Sequence, residues 1–134
     1  MKTENDQTDE QWRAVLTPAQ YRVLRRRRTE LPFTGTYVHT AAAGIYRCAG
    51  CGAALFSSET KFDSGTGWPS FTGPAAEESV ELHTDRKLLM RRTEVICAGC
   101  GGHLGHVFGD GPGACDRYCI NSVALNLDPA TDVA

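Results

Sequence analysis

The sequence predicts one mainly β domain of antiparallel strands with a short helical start, stapled by a metal ion. Three observations carry this: short apolar or alternating stretches punctuated by glycine, proline and serine, a capped amphipathic segment near the start, and a pentapeptide Cys-Ala-Gly-Cys-Gly that occurs twice. A chain of 134 residues suffices for one such core, since a domain of this size buries roughly two-thirds of the surface its unfolded chain exposes.

Residues 1–10 are polar, offer almost nothing to bury, and read as a disordered tail. Residues 11–128 read as the domain and 129–134 as a second frayed tail. Thr17 and Pro18 mark the start of a helix with Tyr21 and Leu24 on one face; Leu31, Pro32 and Phe33 end it, and Gly35 allows the turn into an extended segment. Strand patterns follow at Gly44–Cys48, Ala53–Phe56, Val80–Thr84, Leu88–Cys97 and Cys119–Leu127. Leu88, Leu89 and Met90 fit a buried helical turn equally well, but the β-branched Val95 and Ile96 favour strand. Asp63–Gly73 and Gly109–Asp116 are too rich in small and polar residues for core strands and read as ordered loops, where chemistry is often placed.

Fourteen basic against 16 acidic side chains give a formal charge of -2. No global positive field argues for nucleic acid or an anionic membrane. The dense basic run Arg25–Arg28 reads as a solvated face, with a docking surface as the alternative. The start lacks the basic-then-apolar order of a signal peptide and no apolar run reaches membrane-spanning length, so the expected compartment is the cytoplasm. Six cysteines in that setting read as metal ligands and reactive thiols rather than as a disulfide framework.

Cys48, Cys51, Cys97 and Cys100 form two matched Cys-x-x-Cys pairs, each followed by glycine. Two intervening residues let a tight turn aim both sulfurs at one ion, and four thiolates are the soft tetrahedral set that suits a structural Zn2+. An iron centre or a redox pair is the alternative. A zinc deaminase would need His-x-Glu, which follows none of the four histidines.

Two cysteines remain. Cys119 lies in Arg117-Tyr118-Cys119-Ile120-Asn121-Ser122, where a glycine-rich loop meets an apolar strand. It is either a buried inert cysteine or a thiolate favoured by Arg117. His103 and His106, three apart, are available for proton transfer near neutral pH if metal has no need of them, or for packing. Trp68, in Gly65-Thr66-Gly67-Trp68-Pro69-Ser70-Phe71, either plugs a small core or walls a pocket for a methyl or thioether group.

These motifs, together with Leu16-Thr17-Pro18-Ala19-Gln20-Tyr21, Pro32-Phe33-Thr34-Gly35 and Lys61-Phe62-Asp63-Ser64, occur in an order that resembles the B-type methionine sulfoxide reductases, the peptide-methionine (R)-S-oxide reductases, over roughly Leu16–Leu127. The resemblance implies two antiparallel sheets behind short helices, with zinc away from the active site. It implies that Cys119 attacks the sulfoxide sulfur, that Trp68 packs on the substrate methyl with Phe108 close by, and that His103, His106, Arg117 and Asn121 surround the reacting groups. It implies oxidised proteins or peptides as substrate and thioredoxin as reductant. A non-enzymatic zinc-binding interaction module is the competing reading.

Three departures from the family pattern stand out. Thr66 occupies the position where many members carry a resolving cysteine, Gly101 replaces a common aspartate after the fourth zinc cysteine, and the loop before Cys119 reads Gly113-Ala114-Cys115-Asp116. Cys115 is therefore either the second thiol, reaching Cys119 by a fold-back of that loop, or inert, with an external thiol attacking instead.

Overall fold

The computed structural model describes residues 7–87 and 90–130, with backbone alone at 85, 87 and 90. Helices α1 (Asp9–Val15) and α2 (Pro18–Arg26) each begin with a capping box, Thr8 with Gln11 and Thr17 with Gln20. In both, the threonine hydroxyl accepts a backbone N–H three residues on, and the glutamine side chain accepts from the threonine N–H. The second start is the one read from the sequence. The first lies within the segment expected to be a tail: Asp9 and Glu10 are helical because Trp12, 2% exposed, gives α1 an anchor in the core. Residues 1–6 lie outside the described residues.

Helix α2 stops before Leu31. Arg27 adopts a left-handed conformation (φ 57°), and the N–H of Arg28 closes back on the carbonyl of Arg22 at 3.0 Å. The chain beyond Gly35 passes through turns instead of the expected extended segment until strand β1.

Nine strands are described: β1 (Gly44–Cys48), β2 (Ala54–Ser57), β3 (Lys61–Phe62), β4 (Ser70–Phe71), β5 (Val80–Lys87), β6 (Met90–Cys97), β7 (His103–Phe108), β8 (Arg117–Ile120) and β9 (Leu125–Pro129). They form two antiparallel sheets, ordered β2-β1-β9 and β3-β4-β8-β7-β6-β5. Strand β9 runs past residue 128 to Pro129. The reading of Leu88 and Leu89 falls outside the described residues.

The segment Cys119–Leu127, expected as one strand, is two. After Ile120 the chain leaves the larger sheet, makes a 3-10 turn at Ser122–Ala124 and enters the smaller one as β9. Buried Asn121 and Ser122 cause the break: the Asn121 amide donates to the carbonyl of Leu104 at 3.0 Å, and the Ser122 hydroxyl accepts from the N–H of Tyr37 at 2.9 Å. Strand β4 likewise interrupts the expected loop Asp63–Gly73.

The sheets meet across an aromatic core. Phe56 of the smaller sheet stacks on Phe71 of the larger with centroids 4.5 Å apart, and Tyr46 meets Phe71 edge-on at 5.2 Å. All three are fully buried, and truncating such a ring costs roughly 3–5 kcal/mol. No helix among the described residues is long and apolar enough to cross a membrane.

Candidate active site

Strand β8 lies between β4 and β7, which sets Cys119 opposite Ser70 on one side and His106 on the other. Alternation turns Tyr118 and Ile120 into the core and leaves Arg117 and Cys119 on the opposite, partly exposed face. The close approach of β7 and β8 requires glycine at 105, where a Cβ would collide with the Cys119 carbonyl.

That face opens on a cavity of about 270 Å³, and the structure gathers Trp68, His106, Phe108, Arg117, Cys119 and Asn121 around it. Two predicted residues are not at its wall. Cys115 is exposed, at the end of the 3-10 turn Pro112–Ala114. His103 is 3% exposed and sits behind His106, with ring centroids 5.4 Å apart.

The Cys119 sulfur contacts the Thr66 hydroxyl at 3.7 Å. Thr66 in turn touches Ser64 at 2.8 Å, Ser64 touches Ser70 at 2.7 Å, and Ser70 donates to the Trp68 carbonyl at 3.1 Å. Thr66 is thus part of a hydroxyl network beneath the Cys119 sulfur. Burial pushes the Cys119 thiol above its ordinary value, and the Thr66 hydroxyl and Arg117 charge pull it down without reversing the shift. Arg117 thus acts in the direction read from the sequence, but burial outweighs it. Its guanidinium is bidentate on Asp110 (2.9 and 3.3 Å) and lies 4.5 Å over the Phe108 ring, so much of its charge is already matched.

Behind the pocket, His103 Nδ1 and Glu94 Oε2 are 2.6 Å apart, and Arg27 donates to both Glu94 oxygens at 2.6 and 3.0 Å. Burial lowers the His103 pKa, with Glu94 opposing it. Glu94 faces His106 across β6 and β7, so Glu94, His106 and Cys119 lie in register on three adjacent strands.

Glu30 joins the two sides of the pocket. Its carbonyl accepts from the Trp68 indole N–H at 3.0 Å, its N–H donates to the Asn121 amide oxygen at 2.9 Å, and its carboxylate accepts from the N–H of Val123 at 2.9 Å. The sequence reading missed Glu30 and Glu94, and read Arg27 only as one of a basic run. Each acts across a large sequence separation, and none carries a local motif.

The two Cys-x-x-Cys turns have the same geometry. Gly52 donates to the Cys48 carbonyl at 2.9 Å and Gly101 to the Cys97 carbonyl at 2.8 Å, both glycines at positive φ (81° and 75°). The four sulfurs lie within 4.8 Å of one another, with Cys48 to Cys100 at 3.7 Å and Cys51 to Cys97 at 3.6 Å. A tetrahedral ion with metal–sulfur bonds near 2.3 Å requires edges of about 3.8 Å. The cluster is therefore able to hold a metal ion. Arg25 caps it, donating to the Cys100 carbonyl at 3.0 Å while lying 4.7 Å over the Trp12 ring. The run Arg25–Arg28 is thus more than a solvated face, since Arg25 and Arg27 hold other elements.

A partly buried thiol beside an imidazole, under an aromatic wall and on a two-sheet β scaffold clipped by four cysteines, is the architecture of a thiol-dependent enzyme. Residues 16–129 match the SelR domain. The chain is 58% identical over 132 residues to the peptide methionine sulfoxide reductase MsrB of Bradyrhizobium diazoefficiens, covering 96% of this chain and 95% of that protein. It is 52% identical to the MsrB of Methanosarcina mazei (95% and 91% covered) and 56% identical to that of Leifsonia xyli subsp. xyli (91% and 89%). The chain belongs to the MsrB family of peptide methionine sulfoxide reductases.

Proposed function

We propose that the protein reduces the R epimer of methionine sulfoxide in peptides and proteins, with Cys119 as nucleophile and His106 as proton donor. The observation that carries this is the register of Cys119 with His106 at a pocket walled by Trp68 and Phe108. The thiolate attacks the sulfoxide sulfur while the imidazolium protonates the oxygen, a poor leaving group until it gains a proton. The hydroxyl then passes from the methionine sulfur to the Cys119 sulfur as the newly formed sulfur–sulfur bond and the sulfur–oxygen bond to methionine both break, so methionine departs and Cys119 is left as a sulfenic acid. Sulfoxide sulfur is reduced by two electrons and the cysteine is oxidised by two.

Trp68 supplies an apolar surface for the methyl and His106 the donor side, with Phe108 beneath the Arg117 guanidinium at the rim. The S epimer exchanges methyl and oxygen between these two sides, which is the basis of discrimination. His103, held by Glu94, orients His106 from behind, and Asn121 holds the strand exit with its amide groups.

A second thiol attacks the sulfenic acid, releases water and forms a disulfide, which thioredoxin reduces. That thiol is either Cys115 or one from the reductant. Cys115 is accessible, but four residues of extended chain span about 13 Å, well beyond disulfide reach, so the loop must fold back to use it. The four-cysteine cluster takes Zn2+, which when bound supplies a cross-link and no reactive position, because all four ligand sites are filled by sulfur.

Steady-state reduction of the separate epimers by a thioredoxin system tests the reading. Turnover of the R epimer that is absent for the S epimer and lost in Cys119→Ser supports it; equal turnover of both, or full activity in Cys119→Ser, overturns it.

A further inference from the structure

The hydroxyl chain beneath Cys119 has a direction, because each hydroxyl carries a single proton. At its far end Ser70, fully buried, has the Trp68 carbonyl at 3.1 Å, and a carbonyl accepts without donating, so the Ser70 proton is committed there. Ser64 comes next. Its oxygen accepts the N–H of Thr66 at 3.3 Å and touches the hydroxyls of Ser70 at 2.7 Å and Thr66 at 2.8 Å. One lone pair and one proton are left for two hydroxyl partners, so Ser64 donates to one and accepts from the other. With Ser70 already donating to Trp68, Ser64 donates to Ser70 and accepts from Thr66. The Thr66 proton then points away from the Cys119 sulfur, 3.7 Å from the Thr66 oxygen, and Thr66 offers that sulfur a lone pair.

This order suits a thiol, whose S–H donates to Thr66. It opposes a thiolate, which needs a donor. For Thr66 to donate to the sulfur, Ser64 must turn toward Thr66 and Ser70 toward Ser64, and the Trp68 carbonyl loses this donor. The alternative leaves two hydroxyl oxygens less than 3 Å apart with no proton between them. Either defect carries the cost of an unpaired buried polar group. The pull that Thr66 exerts on the thiol as a donor is available at that cost, and burial of Cys119 acts in the same direction as the chain.

The other polar groups around the sulfur do not depend on this order. His106 faces Cys119 from β7, Arg117, paired with Asp110, precedes it on β8, and Arg92 and Asn121 line the same pocket. The chain ends on a carbonyl, which takes up no proton, so the thiol proton leaves on the opposite side, toward His106.

We propose that Ser64 and Ser70 are positioning residues that order the Thr66 hydroxyl as an acceptor, so that the free enzyme keeps Cys119 as a thiol and the thiolate appears when the hydroxyl chain reverses. The meaning of this for catalysis rests on the reductase reading, whereas the order itself does not.

Ser64→Ala removes the acceptor for the Thr66 proton and frees it for the sulfur. Ser64 is half-buried in a loop, so the change opens no core cavity. Alkylation of Cys119 by iodoacetamide, followed by peptide mass so that exposed Cys115 is scored separately, should run about five-fold faster at pH 7.5, the effect of one net hydrogen bond. The gain should shrink as pH rises, since the sulfur then ionises in every variant. Thr66→Val added to Ser64→Ala should remove the gain, and Thr66→Ser added to it should keep it. A merely looser site would speed alkylation equally at every pH and in each Thr66 background.

An unchanged or slower Ser64→Ala overturns the proposal, as does a gain that is constant with pH or survives Thr66→Val. Single turnover of methionine-(R)-sulfoxide on the same proteins separates the two levels of failure. The predicted gain without turnover in the wild type leaves the hydroxyl order standing and defeats the reductase reading; wild-type turnover without the gain defeats the order alone.

Discussion

The indole N–H of Trp68 donates to the main-chain carbonyl of Glu30 at 3.0 Å, which ties the aromatic wall of the pocket to a residue 38 positions earlier. Glu30 is itself pinned by Val123 through its carboxylate, and burial raises the pKa of that group. Glu30→Ala should cost about 1–3 kcal/mol and raise KM for methionine sulfoxide more than it lowers kcat, because the segment whose carbonyl holds Trp68 loses its anchor on Val123. Glu30→Gln retains an acceptor for Val123 and should restore KM. Urea melts and steady-state kinetics on the two variants check both statements. The raised folded pKa also sets a sign: this group costs stability as pH rises from its ordinary value, 4.5, through the folded value, so Glu30→Gln should flatten stability across that window.

The histidines should differ in severity. His106 lines the pocket and His103 does not, so His106→Asn should lower the single-turnover rate by about 10²–10⁴, whereas His103→Asn should cost less. Burial depresses the folded pKa of His103 below 6.5. The unfolded chain then binds the extra proton first, and the His103 contribution to stability should be lost as pH falls below 6.5 toward the folded pKa. Melting temperatures between pH 7.5 and 5, wild type against His103→Asn, read this directly.

Cys119 should be a reluctant thiolate in the free enzyme. Because burial raises its pKa above 9.0, alkylation by iodoacetamide should still be accelerating with pH at pH 9. Arg117→Ala removes a group that pulls the thiol down, and should slow alkylation at pH 7.5 further. A plateau below pH 8 would contradict the balance drawn above.

Metal removal should unfold the clamp and not merely slow the enzyme. The cluster joins the end of β1 to the turn between β6 and β7, and Arg25 ties that turn to both helices. Cys100→Ser or chelation should lower the melting temperature by well over 10 °C, since a structural zinc site contributes several kcal/mol. Metal analysis on the same samples should give one Zn2+ per chain before chelation.

What the sequence made legible was local. The repeated Cys-Ala-Gly-Cys-Gly announced the clamp because two sulfurs three positions apart already share a turn, and Thr17-Pro18 announced α2 because capping is a matter of four consecutive residues. Cys119, His106 and Trp68 stood out by residue type. The pairing of Glu94 with His103 and of Glu30 with Trp68 had no such signal, since it depends on strand register and on a tether between distant segments. The break after Ile120 was hidden for the same reason: Asn121 and Ser122 look like ordinary polar positions on an alternating strand until their buried partners, Leu104 and Tyr37, are known. The pull of Arg117 on Cys119 was visible in the sequence, whereas its pairing with Asp110 and the burial that outweighs it were not.

The most direct test of the central claim is the intact mass of the protein, unfolded without reductant, after one equivalent of methionine-(R)-sulfoxide. The account predicts one methionine released and a mass change that requires Cys119: a gain of about 16 Da for the sulfenic acid, or a loss of about 2 Da, also dependent on Cys115, where that thiol resolves it. The S epimer and Cys119→Ser should give neither. No methionine release and no mass change with the R epimer, or the same change in Cys119→Ser, would contradict the assignment of Cys119 as the reducing thiol.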